Sequence, residues 1–116
     1  MSNKEAGASK TDVLQGTLDL MVLRTLEMLG PQHGYAIAAR LDQVSEGSIQ
    51  LNMGTLYPAL VRLEQRGHLR TRWDTTENNR RARFYTITAA GRRQLEIEKA
   101  SWDRMAGIMQ RLLAES

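Results

Sequence analysis

A chain of 116 residues holds one hydrophobic core, and 41% apolar with 25% charged residues favours a folded domain over a disordered one. The absence of cysteine excludes disulfides, thiolate metal sites and a cysteine nucleophile, and two isolated histidines, His33 and His68, give metal binding or triad chemistry no support. The net charge is only +3, no apolar run approaches a membrane span, and MSNKEAGASK has no signal-peptide core. A cytoplasmic non-enzyme without cofactor, metal or membrane partner is therefore expected.

Residues 1–10 lack periodicity and read as a flexible tail. Leu14, Leu18, Met21, Val22, Thr25, Leu26 and Leu29 then make one apolar stripe of a first helix. Thr11 or Thr17 is its expected cap, and Gly30-Pro31 its stop. A second helix fits Tyr35 to Val44, with Ile37, Ala38, Leu41 and Val44 facing inward. Ile49-Gln50-Leu51 reads as a short strand that pairs with a hairpin. Asn52 caps a third helix over about 53–66, with Leu56, Leu60 and Leu63 on its inner face. Pro58 is tolerated because it sits near that helix's start, and Gly67 closes it.

The period then changes from 3.6 to 2. Leu69, Thr71 and Trp73 alternate with His68, Arg70 and Arg72, and Arg83, Tyr85 and Ile87 alternate with Phe84, Thr86 and Thr88. The polar stretch Asp74–Arg81 between them predicts a β-hairpin with a long basic tip. Thr88 caps a final helix over roughly 89–114. In it Leu95, Trp102, Met105, Met109 and Leu112 follow a heptad seam, with Glu98 at the missing position.

Residues 62–93 carry nine arginines against Glu64, Asp74 and Glu77, a balance of +6, while both flanking segments are weakly acidic. The guanidinium fork suits phosphate oxygens and guanine edges. Three helices followed by a basic hairpin is the order of a winged helix-turn-helix. The expected fold is thus mainly α with a small β-hairpin: a DNA-binding domain at 11–88 and a long dimerisation helix at 89–116. The outer face of the third helix presents Thr55, Tyr57, Pro58, Val61, Arg62 and Gln65. Its first residues are placed to reach base edges, with Arg62 set back for a phosphate. The helix amides near Gly54 and Thr55 favour an anion. The tip residues Asn78, Asn79, Arg80 and Arg81 suit a minor groove.

Three stretches resemble PadR-type bacterial transcriptional regulators. Gly54-Thr55-Leu56-Tyr57-Pro58-Ala59-Leu60, with Arg62-Leu63-Glu64 and Gly67, looks like that family's third-helix signature. Pro31-Gln32-His33-Gly34-Tyr35 resembles its lead into the second helix, and Arg80–Arg92 its wing and the start of its last helix. The likeness covers about residues 14–113. It implies a cytoplasmic, dimeric, DNA-binding repressor of the short form, whose C-terminal region is a single helix.

Several residues carry two readings. Tyr57 is a base or phosphate reader, or a ring packed beside Pro58. Tyr35 resembles a family tyrosine that contacts phosphate, or else belongs to the core. Trp102 is a dimer-core residue, or lines a slot for a small planar aromatic effector. The winged helix as a whole also has an alternative use, as a protein-interaction module without DNA binding. The arginine cluster favours double-stranded DNA, met by a homodimer on a near-palindromic operator.

Overall fold

Apolar residues recurring every three to four positions drive α1 (Gln15–Leu29), which buries Leu18, Val22, Leu23 and Leu26. The structure is a computed structural model that describes residues 15–115; the expected tail of residues 1–10, Thr11 and Leu14 lie outside the described residues. Thr17 falls inside α1 and does not cap it. The buried Thr25 is satisfied locally, its hydroxyl donating to the Met21 carbonyl at 2.7 Å. Gly30 ends α1 in the left-handed region, at φ 78°, and its amide donates to the Leu26 carbonyl.

The strand β1 (Gln32–His33) and the helix α2 (Gly34–Val44) follow at once. His33 caps α2, its Nδ1 accepting from the Ala36 amide at 3.4 Å. Ile37 and Leu41 turn inward as expected, but Val44 is exposed, because the last turn of α2 runs past the core. Ile49 and Leu51 form no strand and pack only partly against the core. The hairpin's third strand is β1 instead.

Asn52 caps α3 (Met53–Gln65) as expected, its Oδ1 accepting from the Thr55 amide at 2.9 Å. Leu56, Ala59, Leu60 and Leu63 are fully buried along one face. Then β2 (Leu69–Thr75) and β3 (Arg81–Ile87) form an antiparallel pair in the register Leu69↔Ile87, Thr71↔Tyr85 and Trp73↔Arg83. Tyr85 and Phe84 also pair with β1, giving the sheet order β1-β3-β2. Alternation sends Leu69, Tyr85 and Ile87 into the core. The result is a winged helix-turn-helix followed by the long helix α4 (Ala89–Ala114).

The root of α4 is tightly fixed. The Thr88 hydroxyl donates to the Gly67 carbonyl at 2.7 Å and accepts from the Gly91 amide at 3.0 Å. A Cβ at Gly91 would stand 2.2 Å from the His68 carbonyl oxygen, so only glycine fits there. Leu95 is wholly buried against the body, which corrects its expected place on a dimer seam. The apolar line along α4 is continuous, but its first turns lie on α1 and the hairpin. Beyond Glu98, Trp102, Met105, Met109 and Leu112 are all exposed. No helix among the described residues is long and apolar enough to cross a membrane.

One ionic contact joins α1 to α3. Asp19, only 5% exposed, accepts from Arg62 Nη2 at 2.7 Å, and Arg66 Nη1 lies 3.7 Å away.

Two stability outcomes are expected. Gly91→Ala forces the helix away from the His68 carbonyl and lowers stability by about 2 kcal/mol, despite alanine's better helix propensity. Asp19→Ala strands the Arg62 charge and costs about 3 kcal/mol. Urea unfolding followed by circular dichroism measures both.

Candidate nucleic-acid interface

The face of α3 opposite the core is open. Thr55, Tyr57, Pro58, Val61 and Gln65 are exposed along it, and Gly54 is exposed in its first turn. Capping by Asn52 fixes where this face begins. Arg62 departs from expectation. The residue follows Val61 by one helical step, about 100° around the axis, and that turn brings its guanidinium to Asp19. The Arg62 side chain is 23% exposed, and its Nε is buried without a partner among the described residues. Arg62 therefore braces α3 against α1 rather than lying beside Tyr57.

A groove runs between α3 and the hairpin. Tyr35, at the start of α2, Tyr57 and Val61 line one part of it; Trp73, Arg81, Arg83 and Tyr85 line the other. A neighbouring hollow shares His33, Tyr35 and Arg81 and continues to Arg40 and Arg80. The structure thus brings Tyr35, Tyr57, Arg80 and Arg81 to one connected surface, although Tyr35 and Tyr57 are 22 residues apart in sequence. Tyr35 is 70% exposed, which corrects the core alternative for it. Tyr57 is also open to solvent rather than folded away beside Pro58.

The tip of the hairpin is ordered by its own backbone. The Thr76 amide donates to the Arg80 carbonyl at 2.7 Å, and the Asn79 amide donates to the Thr76 carbonyl at 2.9 Å. Asn79 takes a left-handed conformation, φ 60°, which asparagine tolerates better than most residues. Arg80 and Arg81 leave this turn exposed. The Thr75 amide and the Arg72 guanidinium hold the nearby Asp74 carboxyl below its ordinary pKa, so a negative charge persists beside the basic tip.

Glu64 links α3 to the sheet. It accepts from the Thr71 hydroxyl at 3.2 Å, and Arg83 Nη1 lies 4.0 Å from its other oxygen. Burial pushes the Tyr85 hydroxyl above its ordinary pKa, with Tyr57 adding to the push while Arg83 opposes it. Tyr85 stays neutral near pH 7 and serves as the floor of the groove.

Among the groove residues that escaped the sequence reading are His33, Arg40, Trp73, Arg83 and Tyr85. His33 packs edge-on against Phe84, ring centroids 5.3 Å apart, while capping α2. Trp73 stands opposite Arg83 in the register, with the Arg81 and Arg83 guanidiniums 5.3 and 5.2 Å from its ring centre. The alternation of β2 already carried the signal for Trp73, since a large ring at the outer end of a wing has little core to enter. The residues expected at a dimer or ligand surface fall elsewhere, on the free length of α4, except for the buried Leu95. No group of three or more metal-ligating side chains occurs among the described residues.

A surface of exposed aromatic rings and guanidinium forks beside an open helix face offers hydrogen-bond donors and flat apolar contacts at once. That chemistry matches a polyanion with planar units.

Comparisons with known proteins agree with this architecture. A PadR-family transcriptional regulator from Eggerthella lenta has 31% identity and a TM-score of 0.73, with 88% of this chain and 86% of that one covered. One from Clostridium difficile has 30% identity and a TM-score of 0.70, covering 84% and 98%. A transcriptional regulator from Clostridium thermocellum superimposes with a TM-score of 0.77 at 25% identity, over 87% and 97%. An uncharacterized 37.1 kDa protein in transposon TN4556 of Streptomyces fradiae is 44% identical over 78 residues, 67% of this chain. The chain spans about a fifth of that curated relative's length. The sequence model of the transcriptional regulator PadR-like family matches residues 22–97. The chain belongs to that family.

Proposed function

We propose that this protein is a sequence-specific DNA-binding transcriptional repressor that acts as a homodimer on a near-palindromic operator. The observation that carries the reading is the shared groove: the open face of α3 and the arginine-bearing wing meet around Tyr35, Tyr57 and Arg81. In this reading residues 11–88 bind DNA and residues 89–116 pair with a second copy. Thr55 and Tyr57 read base edges in the major groove, while Gly54 and Pro58 let the start of α3 approach closely. Tyr35 meets a phosphate, Asn79 and Arg80 meet the minor groove, and Arg81 meets the sugar–phosphate backbone beside it. Arg62 acts at one remove, through the pose of α3.

The free stripe of α4, made of Trp102, Met105, Met109 and Leu112, is the seam for the second copy. A two-fold axis there sets the two α3 helices about 34 Å apart, one turn of duplex. A small planar aromatic effector beside Trp102 changes the angle between paired helices and moves the recognition helices out of register. A regulator of this kind works in the cytoplasm, where bacterial DNA lies.

Selection of duplexes from a random pool, followed by mobility shift, tests the DNA reading. The selected sites are expected to be near-palindromes, with affinity falling steeply as salt rises. Arg80→Ala/Arg81→Ala weakens all sequences and flattens the salt dependence by about two units of slope. Thr55→Ala instead changes the preferred sequence. A flat salt response of the native protein overturns the reading.

Sedimentation at micromolar concentration tests the pairing. A dimer is expected, and Met105→Glu/Met109→Glu gives a folded monomer with lost operator affinity. Leu95→Ala costs about 3 kcal/mol of stability within each chain. A monomeric native protein removes the two-fold operator from the account.

A further inference from the structure

Trp73 has no packing reason to be where it is. It stands at the outer end of β2 and is 54% exposed. Strand alternation puts Trp73, Arg81, Arg83 and Tyr85 on one face of the hairpin, the face turned across the groove toward Tyr57 and Val61. Both guanidiniums lie over its ring, Arg81 at 5.3 Å and Arg83 at 5.2 Å from the centroid. The negative face of an indole attracts each of these cations. A guanidinium held over a ring by its charge still has N–H donors to offer a ligand. Arg83 is steadied further by Glu64, 4.0 Å away, which itself accepts from Thr71. Both arginines are therefore placed before any ligand arrives. An arginine free in solvent loses its rotamer freedom only when it grips, and that loss weakens binding.

We propose that Trp73 is a positioning residue for DNA binding, holding Arg81 and Arg83 as a two-pronged grip on one sugar–phosphate strand that runs between α3 and the wing. The inference rests on the DNA-binding reading above and assigns a role to a residue outside the expected contact set.

The test uses the full chain and a duplex selected with the native protein. Trp73→Leu keeps apolar bulk but removes the π face, so affinity should fall about tenfold. The salt slope should stay near native, because both arginines still reach phosphate once bound. Trp73→Phe retains a ring and should bind within about threefold of native. In an Arg81→Ala/Arg83→Ala background, Trp73→Leu should cost nothing further. Thermal unfolding of the Trp73 variants should match native, as the ring is half exposed. Native affinity in Trp73→Leu overturns the proposal. Equal losses in both backgrounds do so too, since Trp73 would then touch DNA or support the fold directly. Failure of the native protein to retain any duplex overturns the DNA-binding reading itself, an outcome distinct from these.

Discussion

Asp19 lies almost fully buried between α1 and α3, where an unpaired charge would cost several kcal/mol, on the order of 3–5. The two guanidiniums of Arg62 and Arg66 meet it from α3. The contact fixes the rotation of α3 about its own axis. With Arg62 drawn toward α1, Leu56, Leu60 and Leu63 face the core, and Thr55, Tyr57, Pro58 and Val61 are left to solvent. Apolar burial alone would tolerate some rolling of such a helix, because leucines repack. A short ionic contact at one azimuth does not. The open face of α3 is thus set from behind.

The wing is joined to that helix by separate means. Glu64 reaches Thr71 and Arg83, the Leu69–Ile87 pair continues the core, and β1 closes the far edge through Gln32 and His33. Because His33 both pairs with β3 and caps α2, the start of α2 and the wing share one support. Tyr35, next after Gly34 at the start of α2, therefore lines the groove together with Arg81. The groove is a product of three local contacts and not of one deep pocket.

Much of this was legible in the chain itself. The change of period from 3.6 to 2 near Gly67 marked the hairpin, and Asn52 and Thr88 marked two helix starts, because capping chemistry is local. What escaped was set by distant neighbours. The strand at Gln32–His33 is two residues long and exists only because β3 lies beside it. Arg62 looks like a surface arginine until Asp19, 43 positions away, is brought to it. Leu95 fits a heptad by spacing, yet the close approach at Gly91 presses its turn onto the body. Periodicity reports which side of an element is apolar and stays silent on which neighbour covers it. For the same reason Trp73 read as ordinary strand alternation, while its meaning lies in two arginines on the opposite strand.

The rooting of α4 at Gly91 makes that helix a lever. Beyond Glu98 it runs on to Ala114 for about 24 Å with its large side chains exposed, so a tilt of about 10° at the root swings its far end by roughly 4 Å. The fulcrum is the backbone of His68, one residue beyond the loop that ends α3. The pose of the rod and the end of α3 therefore share one backbone contact, and a displacement of either bears on the other through it.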